Sequence, residues 1–554
     1  MSRARTLLAA RWRAALGTTR TRIIAGARGL LAAPGLMLGL SGWLSQATLA
    51  LCTSVLAALY VVARYALSPR SPGERAVLRA PLVVLFVGAL SIQYAQSLVG
   101  MYAHGALRTW NVYHYYLGSK YFDELGYTGL YAQTIVADRE QDHRLRGVRQ
   151  IRDMIDYQVK PVAQVVPRTR SPAFSEERWR EFKRDLAVLL PRDPPELWDS
   201  ILTDRGYNPT PCWNAVVSAL SRRIDITHHA QLMVGTSIDL LLYLAMLLAM
   251  SWAFGTEAAM LSFLAFVLLP FNPTRLVGGF VQYDWLAAIA LGLCFLHKRR
   301  PVPAAIALGY ATMTRVFPLL LVAGLALPTL RRLWTERRLD RFTRRFALTF
   351  VAACAFGLAV GATSAKGAGG WHEWQDKIQT HNAGMTFGMG RVGLRHLFTH
   401  RLGAEFEPTE EARRDRYEHQ QAGYYVAAAV MVVLCAAAAW RRGKLNSLLL
   451  AMMLVYVLFV PSHYYWSMLA FLPLWRARAE TDGDDAPWSP ALLPALTAFV
   501  VPAGWYLYAR SEPFQYAQYL RFDWLLGACW LAICGWLVWV DGRRRARPAT
   551  TEPA

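Results

Sequence analysis

The stretch NVYHYYLGSKYFDELGY, Asn111–Tyr127, sets five Tyr among a His, a Lys, an Asp and a Glu, directly after an apolar run. Tyr gathers at membrane–water interfaces without any further role, but that does not account for His114, Lys120, Asp123 and Glu124 in so short a space. Aromatic faces also stack on sugar rings, and a fixed carboxylate takes a proton from an attacking hydroxyl. A second acid, Asp284, stands in NPTRLVGGFVQYDWLAA (272–288) at the start of another apolar run. Asp284 either complements a helix N-terminus or faces a ligand whose close approach Gly278 and Gly279 permit. Arg315 in TRVFP lies inside an apolar run, where a guanidinium is costly and marks a functional site by default. Its planar fork suits phosphate; the competing reading pairs it with Asp239 of GTSIDLLLYL.

Two more stretches carry such groups. WHEWQDKIQTHNAGMTFGMGRVGLRHLF (371–398) holds His381, Asn382, a Gly-rich turn and Arg391, and reads as a lid over a phosphate or as a loop helix with a flexible turn. PSHYYW (461–466) brings His463 and Tyr464 to an interruption in an apolar run. The His spacing is no zinc pattern, so no protein-held zinc is expected; a divalent metal, Mg or Mn, stays open. Acids, bases and aromatics thus sit at the outer ends of spans, above a cation. That suits group transfer from a membrane-embedded phosphate donor, with positive charge where the leaving phosphate develops negative charge. The expected roles are Glu124, Asp284 and Asp123 as catalytic acids, and Arg315, Arg391 and Lys120 as phosphate ligands. Asn111, His114, Tyr115, His381, Asn382, His463 and Tyr464 would line the substrate.

These residues need a scaffold, and the composition supplies one. The chain has 554 residues, 54% of them hydrophobic, and net charge +22; its mean hydropathy is +0.21. Apolar runs of spanning length recur at 47–66, 80–103, 231–252, 257–271, 283–297, 302–330, 344–363, 421–440, 446–475, 489–509 and 522–540, which predicts an all-α polytopic membrane protein. The Arg excess lies beside the spans, which argues against nucleic-acid binding and for cytoplasmic loops and membrane lipids as neighbours. By this rule 297–300, 331–345, 440–444 and 541–548 are cytoplasmic, and 104–230 and 364–420 are large external loops. Runs 302–330 and 446–475 then begin and end on one side. Each is expected to break inside the membrane, the first at Pro318, and such breaks line cavities.

Residues 1–46 are expected to form an Arg-rich amphipathic segment on the cytoplasmic face, with 29–45 as a further candidate span. Residues 47–475 would be the catalytic module, and 476–554 the last spans and a basic tail, joined by a polar linker at 476–487. The seven Cys show no metal pattern and no expected loop disulfide.

At this level the chain resembles the GT-C class of integral-membrane glycosyltransferases, and within it the polyprenyl-phosphate-mannose-dependent family 87. Asn111, Tyr115, Gly118, Leu130 and Tyr131 match the layout of that family's first external loop, and Arg315 with Pro318 its later basic residue and Pro. The resemblance implies a bundle of about 11–14 transmembrane or half-membrane helices with two large external loops. It also implies hexosyl or pentosyl transfer from a polyprenyl-phosphate donor to an extracytoplasmic glycolipid, polysaccharide or protein, in a bacterial inner membrane with the site facing the periplasm. The chain departs from the family where its acid should stand, because position 111 is Asn. Amide cannot accept a proton, so the base is expected at Glu124, Asp123 or Asp284. The alternative readings are a transporter or lipid-carrier flippase, and an inactive homologue.

Overall fold

In the computed structural model each apolar run is helical. The structure describes residues 44–67, 72–270, 277–364, 366–400, 409–476, 489–511 and 515–546. The N-terminal amphipathic segment and nearly all of the candidate span 29–45 lie outside them, as do most of the linker 476–487 and the end of the basic tail.

Among the described residues six helices are long and apolar enough to cross a membrane: Gln46–Ala66, His229–Phe254, Arg341–Gly361, Glu410–Ala439, Leu492–Ala509 and Tyr516–Gly542. Their outer faces are apolar at helical spacing. Leu241, Leu244, Leu248 and Trp252 form one exposed stripe, and Val426, Val430 and Val433 another. In water such stripes would be a liability; in lipid they are the solvated surface. Shorter apolar helices, including Thr256–Leu268 and Asp284–His297, fill the interior. The fold is an all-α polytopic membrane bundle.

The basic segments meet at one end. Asp340 pairs with Arg332 and with Lys444 (2.7 Å), joining the 331–345 and 440–444 segments. Arg442 pairs with Asp541 at 2.7 Å, adding the C-terminal segment. Pro301–Arg315 runs from this end into the bundle and stops at Val316, whose φ of +56° is strained for a β-branched residue. Pro318 then restarts the helix as Pro318–Ala323. The second expected break falls after Met452–Leu458; the chain extends through 459–462 and resumes as the 3₁₀ helix His463–Leu474.

At the other end residues 104–230 fold into a helical subdomain. Ser175 caps Glu176–Leu189 by accepting from Arg178 N–H, and Thr210 caps Pro211–Ser221 by accepting from Trp213 N–H. A two-stranded antiparallel hairpin, Gln150–Arg152 with Val159–Pro161, is a feature the helical pattern of this loop did not announce. Thr210 Oγ1 also donates to Met313 O at 2.7 Å, which docks the subdomain onto the broken helix two residues before Arg315.

Candidate functional site

The opening stretch is one helix with an irregular turn. Thr109–Asn111 leads into a π-helical turn, Val112–Leu117, and then Gly118–Lys120. π turns re-aim side chains and recur at functional sites. Here one face carries Asn111, His114 and Tyr115 to a cavity of about 400 Å³, a volume ordinary for a ligand site. The opposite face carries Tyr116 and Lys120 into the subdomain, and the next short helix, Phe122–Leu125, carries Asp123 and Glu124 there.

That division corrects three expected positions. Lys120 Nζ is buried between Asp185 (2.7 Å) and Glu181 (2.9 Å) and donates to Tyr116 O–H. Glu124 pairs with Arg178 at 2.6 Å, and Asp123 pairs with Arg222. None of the three lines the cavity: Lys120 points away from it, the chain turns at Tyr121 before the short helix that carries Asp123 and Glu124, and all three are held by charges from 178–222. Asp284 also stays behind the wall: it is buried and accepts from Tyr310 O–H at 2.7 Å. His463 is turned away too, bonded through Nδ1 to Gly390 O.

The cavity does gather Arg315, Arg391, Asn111, His114, Tyr115, His381, Asn382 and Tyr464 from four distant parts of the chain. Arg315 does not pair with Asp239, whose carboxylate instead accepts Gln282 N–H and Tyr283 N–H at 3.0–3.1 Å. Its guanidinium faces the rings of Trp213 (5.6 Å) and Tyr115 (5.9 Å), contacts worth about 0.5–2 kcal/mol each. Nη1 donates to Thr314 O. Nε and Nη2 have no hydrogen-bond partner among the described residues. A buried cation with two idle donors is costly unless a ligand completes it.

Arg391 stands across the cavity. Nη1 donates to Val460 O (3.2 Å) and Nη2 to His381 Nε2 (2.8 Å), while Nε is unpartnered among the described residues. Burial first, and then Arg391 and Lys377, hold His381 well below the usual imidazole range, so Nε2 stays unprotonated and accepts from Arg391. Burial likewise lowers His114; its Nδ1–H donates to Trp110 O and its Nε2 faces Tyr131 O–H. The Gly-rich turn read as a lid is pinned at its C-terminal half. His463 N–H donates to Gly390 O, Val392 N–H to Pro461 O, and Gly393 N–H to Asp523.

Asn111 is a clamp. Its Nδ2 donates to Gln282 Oε1 at 3.0 Å and its Oδ1 accepts Phe280 N–H. Arg108 Nη1 donates to the same Gln282 Oε1 at 2.7 Å. Gly278 and Gly279 serve this contact and not a ligand: a Cβ on Gly278 would crowd Ala106 O and Arg108 N, and one on Gly279 would meet Asn111 Oδ1 at 3.0 Å.

The cavity wall also holds Trp110, Asp204, Arg205 and Gln282, which sequence reading did not single out, together with Trp374 and Tyr465 from the WHEWQD and PSHYYW stretches. Asp204 opens DRGYNPTPCWNAV (204–216), whose Gly and Pro residues punctuate a turn before a helix; its place at the cavity comes from folding. Among the described residues no three His, Cys, Asp or Glu side chains converge to hold a metal ion.

Residues 228–473, somewhat under half of the chain, match the family model described as Glycosyltransferase family 87. The region contains Asp284, Arg315, His381, Arg391 and Tyr464; the wall formed by Asn111, His114 and Asp204 lies outside it. No curated protein matches the chain.

Proposed function

We propose, from the family 87 match over residues 228–473, that this multi-pass membrane protein is a glycosyltransferase that moves a sugar from a polyprenyl-phosphate donor to an extracytoplasmic glycolipid, polysaccharide or protein. The observation that carries this reading is Arg315: a guanidinium at a helix break, walled by Tyr115 and Trp213, with no partner for Nε and Nη2 among the described residues. A donor phosphate completes those donors. As the glycosidic C–O bond breaks, charge accumulates on the phosphate oxygen, and a preorganised guanidinium in a water-poor site stabilises it. Arg391 supplies a second cation, and Tyr115, Trp374, Tyr464 and Tyr465 offer faces for the hexose or pentose.

The orientation follows from charge. Basic segments converge at the end remote from the 104–230 subdomain, and basic loops are retained in the cytoplasm. In a bacterial inner membrane the cavity would open to the periplasm. Transfer from radiolabelled polyprenyl-phosphate mannose and polyprenyl-phosphate pentose tests the reading in reconstituted vesicles. Transfer by the wild type that Arg315→Ala loses supports it; no transfer from any lipid-linked sugar refutes it.

A further inference from the structure

The donor site leaves the acceptor's proton without a destination, and the expected carboxylates are not at the cavity. Among the described residues one carboxylate lines it, Asp204. Asp204 Oδ2 accepts a 2.9 Å hydrogen bond from Trp110 Nε1 and lies 3.9 Å from His114 Nε2. Its backbone is fixed as well, because Arg152 Nε donates to the carbonyls of both Thr203 and Asp204 at 2.9 Å. The side chain remains 31% exposed, against 9% for Glu124 and 2% for Asp185. Substrate can reach it.

A closed set of hydrogen bonds holds the carboxylate to the π turn. Gly206 N–H donates to the Tyr131 oxygen, Tyr131 O–H to His114 Nε2, His114 Nδ1–H to Trp110 O, and Trp110 Nε1–H to Asp204. The circuit needs a neutral His114, which burial favours. Its polarity makes Nε2 an acceptor, so His114 does not compete with substrate for the Asp204 lone pairs.

We infer that Asp204 is the general base of the transfer and that His114 is a positioning residue for it; this rests on the donor reading above. The acceptor hydroxyl oxygen forms a bond to the anomeric carbon. The bond from that carbon to the phosphate oxygen breaks, and its electron pair leaves on the lipid phosphate at Arg315. The hydroxyl proton passes to the Asp204 carboxylate, which later releases it to water through the cavity mouth. The arrangement is a first-loop aromatic helix holding an acid that arrives from 93 residues further along, and so places the base away from position 111.

The test uses the full-length protein in nanodiscs, with polyprenyl-phosphate mannose and polyprenyl-phosphate pentose as donors and octyl glycosides as acceptors. Asp204→Asn keeps an oxygen for Trp110 and removes the base. It should lower kcat about 100- to 10,000-fold, leave donor affinity by tryptophan quenching within about twofold, and abolish the loss of rate at low pH. Formate should restore part of the rate of Asp204→Gly. His114→Gln should lower kcat by about tenfold with the pH profile retained. Asp204→Asn turning over at more than a tenth of the wild-type rate, with donor still bound, overturns this assignment alone. Wild type that neither binds nor turns over any of these donors overturns the donor reading and this inference with it.

Discussion

Family 87 resemblance asks for an acid at position 111, so Asn111→Asp tests whether the native Asn is a lost base or a required clamp. Asn111 Nδ2 and Arg108 Nη1 both donate to Gln282 Oε1, at 3.0 and 2.7 Å. A carboxylate at 111 would set oxygen against oxygen. Turning the Gln282 amide over would relieve that contact but aim its NH₂ at the Arg108 guanidinium. Either way one buried polar group loses its partner, which costs about 1–3 kcal/mol. Attraction between the new carboxylate and Arg108 returns about 1 kcal/mol. The net loss is about 0–2 kcal/mol, or a fall of up to ~3 °C in the unfolding midpoint for a chain of this size. Thermal unfolding in nanodiscs reads the first quantity, and transfer from polyprenyl-phosphate sugars the second. We expect a lower midpoint and no gain in kcat. A tenfold rise in kcat with an unchanged midpoint would refute the clamp, and would return the base to position 111.

Arg315→Ala should lower kcat/KM about 10²- to 10³-fold, the loss of one preorganised charge donor. Arg315→Lys should recover little of it, since an ammonium cannot replace a fork held between Tyr115 and Trp213; full activity in the Lys variant would contradict the fork geometry. Glu124→Gln breaks the pair with Arg178 outside the cavity, so kcat should stay within about twofold while the unfolding midpoint drops; a hundredfold loss of kcat would restore Glu124 to the chemistry. Lys377 lies outside the spans, buried over the Tyr157 ring with no hydrogen-bond partner among the described residues. Burial first, then Arg152, push it down to about 7 from 10.5. Between those values the unfolded chain binds a proton that the folded one refuses, so stability should fall as pH is lowered from about 10 towards 7. Lys377→Met should remove that slope and raise the midpoint more at pH 7 than at pH 10; an unchanged slope counts against a neutral Lys377.

The sequence by itself determined the elements that local physics controls. Spans such as His229–Phe254 and Arg341–Gly361 follow from unbroken apolar runs, and the break at Val316 from Pro318 two residues on. Ser175 and Thr210 start the helices they precede. Arg315 stood out because an Arg in an apolar run is costly wherever it ends up, and it does line the cavity. Tertiary structure decided which of the polar residues meet. Asn111, His114 and Tyr115 share the cavity face while Lys120, Asp123 and Glu124 turn to Asp185, Arg222 and Arg178, because a π turn sets the phase of the helix up to Lys120, the chain turns again at Tyr121, and the subdomain supplies the partners. Asp204 reaches Trp110 across 94 residues of chain. Its role is a matter of a docked turn and a ring of hydrogen bonds, none of which is written in the residues next to it.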